Sequence, residues 1–191
     1  MNIDKLKVLS SKTISASRFQ ITEDELEIDN KPAKYSFINI KSGICVIVKT
    51  PKGFAVLKEY RYPIKQFSYE FAAGIIDEGE TPEDAAIREV KEETGFVADK
   101  IESLGEFYPS FGATDELIYL FYAECAIQLE TEQEYTEFIE CEFMTEDEVD
   151  ALIISDKFKH GAGLAAWLKY NLKKGCEKTA PTATLRTKTE Q

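Results

Sequence analysis

The sequence is poor in the residues that build zinc centres and histidine-driven catalysis. It has one histidine, and its four cysteines, Cys45, Cys125, Cys141 and Cys176, stand far apart with no C-x-x-C pair. A zinc site needs clustered thiolates and imidazoles, so none is expected. His160 stands between Lys159 and Gly161 with no nucleophile elbow nearby. It reads as a surface or helix-start residue rather than a triad member. Three of the cysteines lie in apolar runs and read as buried thiols, which suits a reducing compartment. Basic residues are also scarce: 23 Lys and Arg face 35 Asp and Glu, a formal charge of −12. That balance argues against a nucleic-acid partner, which would need a basic face. No stretch approaches the roughly 18 consecutive apolar residues of a membrane span. The opening MNIDKLKVLSSKT lacks the apolar stretch of a secretory signal. The expectation is a cytoplasmic protein with no membrane partner.

What is present suits a globular domain. The chain has 191 residues, 43% of them hydrophobic, enough to bury a core without disulfides or a structural metal. Residues 1–40 mix short β-rich stretches with polar turns, and Tyr35 to Ile40 alternates with the period of a half-buried strand. Ile44 to Val48 is a continuous apolar run typical of an interior strand. Thr50-Pro51-Lys52-Gly53 turns it into a second strand, Phe54 to Tyr60. Short strands are expected at Tyr69–Ala73, Leu104–Tyr108, Leu117–Ala126 and Phe138–Met144. Thr81-Pro82-Glu83-Asp84 opens a helix that runs to about Thr94, with Gly95 at its end. Thr145-Glu146-Asp147-Glu148 is a capping box for a second helix. Residues 162–173 form a third, closed by Gly175. The stretch 176–191, rich in Thr and Lys, reads as a disordered tail. Strands interleaved with helices indicate an α/β layered domain.

The chemistry lies in Gly74 to Phe96, GIIDEGETPEDAAIREVKEETGF. On a helix Glu89 and Glu93 share a face and Glu92 lies beside them. Carboxylates that close repel unless compensated, and hard divalent cations compensate them through oxygen ligands. Spacing alone leaves a second reading open, a solvated acidic face. Arg88 and Glu92, four apart, are placed to pair.

This stretch resembles the signature of the Nudix hydrolases, G-x5-E-x7-R-E-U-x-E-E-x-G-U, where U is a bulky apolar residue. Gly74, Glu80, Arg88, Glu89, Glu92, Glu93 and Gly95 fill the fixed places, and Val90 and Phe96 the apolar ones. At average residue usage the odds of a chance match are roughly 10⁻⁹ per window. The resemblance implies an α/β/α sandwich with a mixed sheet, with residues 41–175 as the hydrolase domain and 1–40 as a small N-terminal β subdomain. It implies Mg²⁺ or Mn²⁺ held by Glu89, Glu92, Glu93 and the backbone of Ala73, with Glu93 also counted as catalytic. An Arg88–Glu80 ion pair would brace loop against helix. The implied chemistry is metal-assisted hydrolysis of a phosphoanhydride.

Three further segments resemble the ADP-ribose pyrophosphatase branch of that family. Tyr60-Arg61-Tyr62 and Tyr69-Glu70-Phe71-Ala72-Ala73-Gly74 match its Q-Y-R and W-E-x-P-A-G segments, with Tyr for Trp and Ala for Pro. They imply that Arg61 contacts substrate phosphate; a surface arginine is the alternative. Tyr108 to Glu116 resembles its S-P-G-x-x-x-E loop, with Phe111 for Pro, and implies that Glu116 binds a ribose hydroxyl; an exposed strand-start acid is the alternative. Glu134 to Glu140 resembles its acidic loop and implies Glu137 as general base, with Glu134 the substitute in another register and Tyr135 where a first acid is usual. The branch implies a homodimer that exchanges its N-terminal strands; Tyr35 or Phe37 is available to stack on a base, with a core or interface role the preferred reading for either. The expected substrate is a nucleoside diphosphate sugar, ADP-ribose first. GDP-mannose, another sugar nucleotide or a dinucleotide is the alternative within the enzyme class. A sensor that binds a nucleotide sugar without hydrolysing it is the alternative outside it.

Overall fold

The structure, a computed structural model, describes residues 5–17, 19–129 and 139–179. An N-terminal sheet comprises β1 (Leu6–Ala16), β2 (Phe19–Ile28) and β3 (Lys31–Asn39), all antiparallel in the order β1-β2-β3. These strands are longer than the short stretches expected from the sequence. The missed signal is Asp29-Asn30, where φ is 51° and 60°. Two consecutive left-handed residues make a tight hairpin turn whose twist matches the strands. Lys7–Glu27 and Lys34–Glu25 then pair across adjacent strands.

The main sheet contains β4 (Gly43–Thr50), β5 (Gly53–Arg61), β6 (Gln66–Glu70), β7 (Ala72–Ile75), β8 (Phe96–Phe107), β9 (Ile118–Gln128) and β10 (Ile139–Met144). Its path is β10-β5-β4-β9-β8, with β4 and β9 parallel and the other pairs antiparallel. β4 and β5 pair only near their turn, from Val48 to Ala55. Beyond it they separate. The gap is filled by one stretch of chain, as β6 pairs with β5 through Glu70↔Leu57 and β7 pairs with β4 through Ala73↔Cys45. The single strand expected at Tyr69–Ala73 is therefore two, divided at Phe71. Similarly, β8 starts directly after Gly95 rather than at Leu104.

Both faces of the sheet are covered, which is why β4 reads as an unbroken apolar run. Ile44, Val46 and Val48 face α1 (Pro82–Thr94), packing with Ala86, Val90 and Phe96. Cys45 and Ile47 face α2 (Glu146–Ile154) and α3 (Gly161–Thr179), packing with Val149, Phe158 and Trp167. The result is the expected α/β/α sandwich with a mixed sheet. Thr81 accepts the Asp84 amide and Gly95, at φ 72°, returns its amide to Lys91, closing α1 at both ends. Both halves of the Thr145 capping box form. α3 continues through Gly175 to Thr179, four residues into the stretch expected to be a disordered tail. One helical glycine costs only about 1 kcal/mol, and the first proline comes at Pro181. No helix among the described residues is long and apolar enough to cross a membrane.

Phe71, fully buried between β6 and β7, packs on Phe158 at 4.9 Å and on Trp167 at 5.6 Å. Phe71→Ala should cost about 3–5 kcal/mol by leaving a cavity at this junction. Urea unfolding followed by fluorescence of Trp167, the only tryptophan, measures it; a loss under about 1 kcal/mol would show that the junction collapses without strain.

Candidate active site

The loop from Gly74 to Thr81 and the helix α1 are joined by one guanidinium. Arg88 donates from Nε and Nη2 to the two oxygens of Glu80, both at 3.0 Å, and from Nη2 to the Ile75 carbonyl at 3.0 Å. Its Nη1 reaches Glu89 Oε1 at 2.7 Å and Glu92 Oε2 at 3.0 Å. The Asp77 amide donates to Glu80 Oε2 at 3.1 Å, so the loop closes on the same carboxylate. These bonds hold Glu80 below the ordinary carboxylate range, with Arg88 the main cause.

Two glutamates of α1 reach back to β7. The Ala73 amide donates to Glu93 Oε2 at 3.0 Å, and Glu93 is only 4% exposed. Glu89 lies against Gly74 so closely that a Cβ there would sit 1.8 Å from its Oε1. Glycine is needed here for the room it leaves. Glu92 is the more exposed member of the three.

A cleft of about 570 Å³ opens beside this acidic corner, lined by Arg61, Ala73, Gly74, Glu116 and His160 among others. Arg61 ends β5 and donates from Nε to Glu70 Oε1 at 3.0 Å and from Nη2 to Glu70 Oε2 at 2.6 Å. Its Nη2 also lies 2.9 Å from Glu59 Oε2. Glu116 follows a loop anchored to β3, since Asp115 accepts from the Asn39 side chain and the Ile40 amide, both at 2.8 Å. Burial raises the Glu116 carboxyl above its ordinary value.

The structure thus gathers Arg61, Ala73 and Glu116 in one cleft and places Glu89, Glu92 and Glu93 on the adjoining helix. Glu137 and Glu134 lie outside the described residues. Tyr35 does not line the cleft; its hydroxyl donates to the Gly112 carbonyl at 3.0 Å. Phe37 does not line it either, whereas Phe19 does. His160 stands at the start of α3 as expected, and its half-buried side chain lines the cleft. Nothing local in the sequence marks Glu59 and Glu70, the partners of Arg61, as site residues. Glu70 stands inside a segment matched to the family, yet an alternating strand pattern does not mark a buried acid.

A NUDIX domain model matches residues 40–167. The chain belongs to the Nudix hydrolase family. It is 31% identical over 160 residues to an ADP-ribose pyrophosphatase of Bacillus subtilis (strain 168), covering 78% of this chain and 86% of that one. It is 30% identical over 147 residues to the methanol dehydrogenase activator of Bacillus methanolicus, covering 70% and 80%. A GDP-mannose pyrophosphatase of Yersinia pestis (strain Pestoides F) is 46% identical over 55 residues, 29% of this chain and 27% of that one. In fold it matches a crystal structure of an ADP compounds hydrolase with a TM-score of 0.81 at 20% identity, covering 91% of this chain and 96% of that one.

Nudix hydrolases generally need divalent metal ions, and the donor set here fits them. Glu80, Glu89 and Glu92 surround Arg88, Glu59 and Glu70 hold Arg61, and Glu93 faces Ala73. Six carboxylates against two guanidiniums leave a local excess of negative charge with hard oxygen donors. Among the described residues no three His, Cys, Asp or Glu side chains are already gathered around one point, so these acids would turn to a cation from their present partners. Arg88 Nη1 instead bridges Glu89 and Glu92, a cation already seated between two of the acids.

The Arg88–Glu80 pair generates a pH prediction. A carboxylate whose folded pKa is depressed adds stability above its unfolded pKa and loses it as pH falls through the folded value. Glu80→Gln should cost about 1 kcal/mol at neutral pH. It should also flatten the decline of stability below roughly pH 4. Urea midpoints across an acid pH series measure both, and an unchanged slope would remove Glu80 from the linkage.

Proposed function

We propose that this Nudix hydrolase cleaves the pyrophosphate bond of a nucleoside diphosphate sugar, ADP-ribose in the first place, releasing AMP and ribose 5-phosphate. The observation that carries the reading is the junction of α1 with β7. It sets the Glu89 and Glu93 carboxylates against Gly74 and Ala73 at the edge of a cleft whose other walls carry Arg61 and Glu116. The longer match to the ADP-ribose pyrophosphatase, set beside the short match to the GDP-mannose enzyme, supports the choice of sugar nucleotide.

In this reading Glu89, Glu92, Glu93 and the Ala73 backbone would hold Mg²⁺ or Mn²⁺, which would supply charge neutralisation at the phosphoryl oxygens and activation of the attacking water. Arg61 contacts the diphosphate, for which its planar fork is suited. Glu116, whose carboxyl burial raises above its ordinary value, hydrogen-bonds a ribose hydroxyl. Glu93 serves catalysis by keeping its carboxylate on the Ala73 amide, so that helix and strand stay in register. Glu137 removes the proton from the attacking water, with Glu134 as the alternative base. The N-terminal sheet exposes Val8, Leu9 and Ile14, and a second copy of the chain is the partner proposed for it.

Purified protein incubated with ADP-ribose or GDP-mannose, with and without Mg²⁺, should yield AMP from ADP-ribose only when metal is present, as identified by mass. GDP-mannose cleavage alone would move the substrate and keep the chemistry. Tight ADP-ribose binding without product would make the chain a sensor. Glu93→Gln should lower turnover by orders of magnitude while far-ultraviolet circular dichroism stays unchanged; near wild-type rates would overturn its assignment.

A further inference from the structure

Among the described residues one buried side-chain polar atom has no hydrogen-bond partner, His160 Nδ1. Native structures rarely leave such an atom unpaired. It lies 4.0 Å from Glu70 Oε2, just beyond hydrogen-bond reach. The two residues are held together by backbone, because Tyr69 and Phe158 form a bridge between their segments. The His160 carbonyl takes the Leu164 amide, so the ring stands at the start of α3, where the helix end favours negative charge.

Glu70 is 4% exposed and has both oxygens on Arg61. Arg61 is 41% exposed at the cleft. Its Nε–Nη2 edge carries Glu70 while Nη2 also meets Glu59, so a phosphate can engage that edge at both nitrogens only when the fork leaves Glu70. Glu70 would then be a buried anion short of a donor, which is costly.

We propose that His160 is a positioning residue that takes over Glu70 when Arg61 turns to the substrate's diphosphate. A small rotation brings Nδ1–H onto Glu70 Oε2. The neutral imidazole, favoured by burial and by the Arg61 charge and opposed by Glu70, has the single proton this bond needs. Free Arg61 is thereby parked on two carboxylates, and the bound state gains a bond for the atom left unpaired in the free one. The inference rests on Arg61 as the diphosphate contact proposed above.

The amide of asparagine matches Nδ1 in reach, and that of glutamine matches Nε2. His160→Ala should raise KM for ADP-ribose about tenfold with kcat changed less than about threefold. His160→Asn should restore KM to within about threefold, and His160→Gln should not. In an Arg61→Ala background, His160→Ala should change KM less than about twofold, because the hand-off has lost its object. An unchanged KM in His160→Ala, rescue by glutamine rather than asparagine, or full additivity with Arg61→Ala would overturn the proposal. A wild type that binds ADP-ribose without cleaving it would sink the proposed reaction alone, and dissociation constants of the same variants would then decide the role of His160. A wild type that neither binds nor cleaves any nucleoside diphosphate would overturn both.

Discussion

The candidate site depends on how a surplus of buried carboxylate is kept folded. Arg88 is the centre of that arrangement. Its guanidinium ties the loop acid Glu80, the Ile75 carbonyl and the helix acids Glu89 and Glu92 into one body. An arginine suits the task because its donors are fixed in a plane and its charge persists at any working pH. The loop closes on Glu80 and the Ile75 carbonyl, both of which Arg88 touches, while Ile76 packs against the core.

The second guanidinium does the same for the other wall. Arg61 holds Glu59 and Glu70 as Arg88 holds Glu80, Glu89 and Glu92, and Glu93 bonds to the strand between them. Folding and ligand binding therefore compete for the same acids. With the arginines in place the acids are compensated well enough to fold, and under the proposed function a divalent cation or a phosphate would enter by displacing a partner already present.

Much of this was legible in the sequence because its signals are local. Pro82 after Thr81, Gly95 after Thr94 and the Thr145 box report hydrogen bonds within a few residues, and the helices form where those bonds place them. The unbroken apolar run of Ile44 to Val48, covered on both faces, is likewise a property of one strand. What escaped is long-range. The division of one strand at Phe71 follows from β4 and β5 parting, which no single segment records. His160 reaches the cleft because Phe158 bridges Tyr69, a contact across 89 positions of chain. Phe19 arrives through the pairing of a separate sheet. The paired character of Arg61 was hidden for the same reason, since Glu70 comes beside it only when β6 pairs with β5.

The short stretch that fills the parting of β4 and β5 has a consequence for how such an enzyme can change. Glu70 and Ala73 belong to opposite walls, yet two residues separate them, and Phe71 and Ala72 are pinned in the two opposite core layers. Adding or removing one residue would turn every side chain after it to the wrong face. Length variation is thus barred from the reacting centre and diverted to its borders, the 108–116 loop and the N-terminal sheet that brings in Phe19. Under the proposed function those borders are where one sugar or base would be exchanged for another while the acids around Arg88 and Arg61 stay in place.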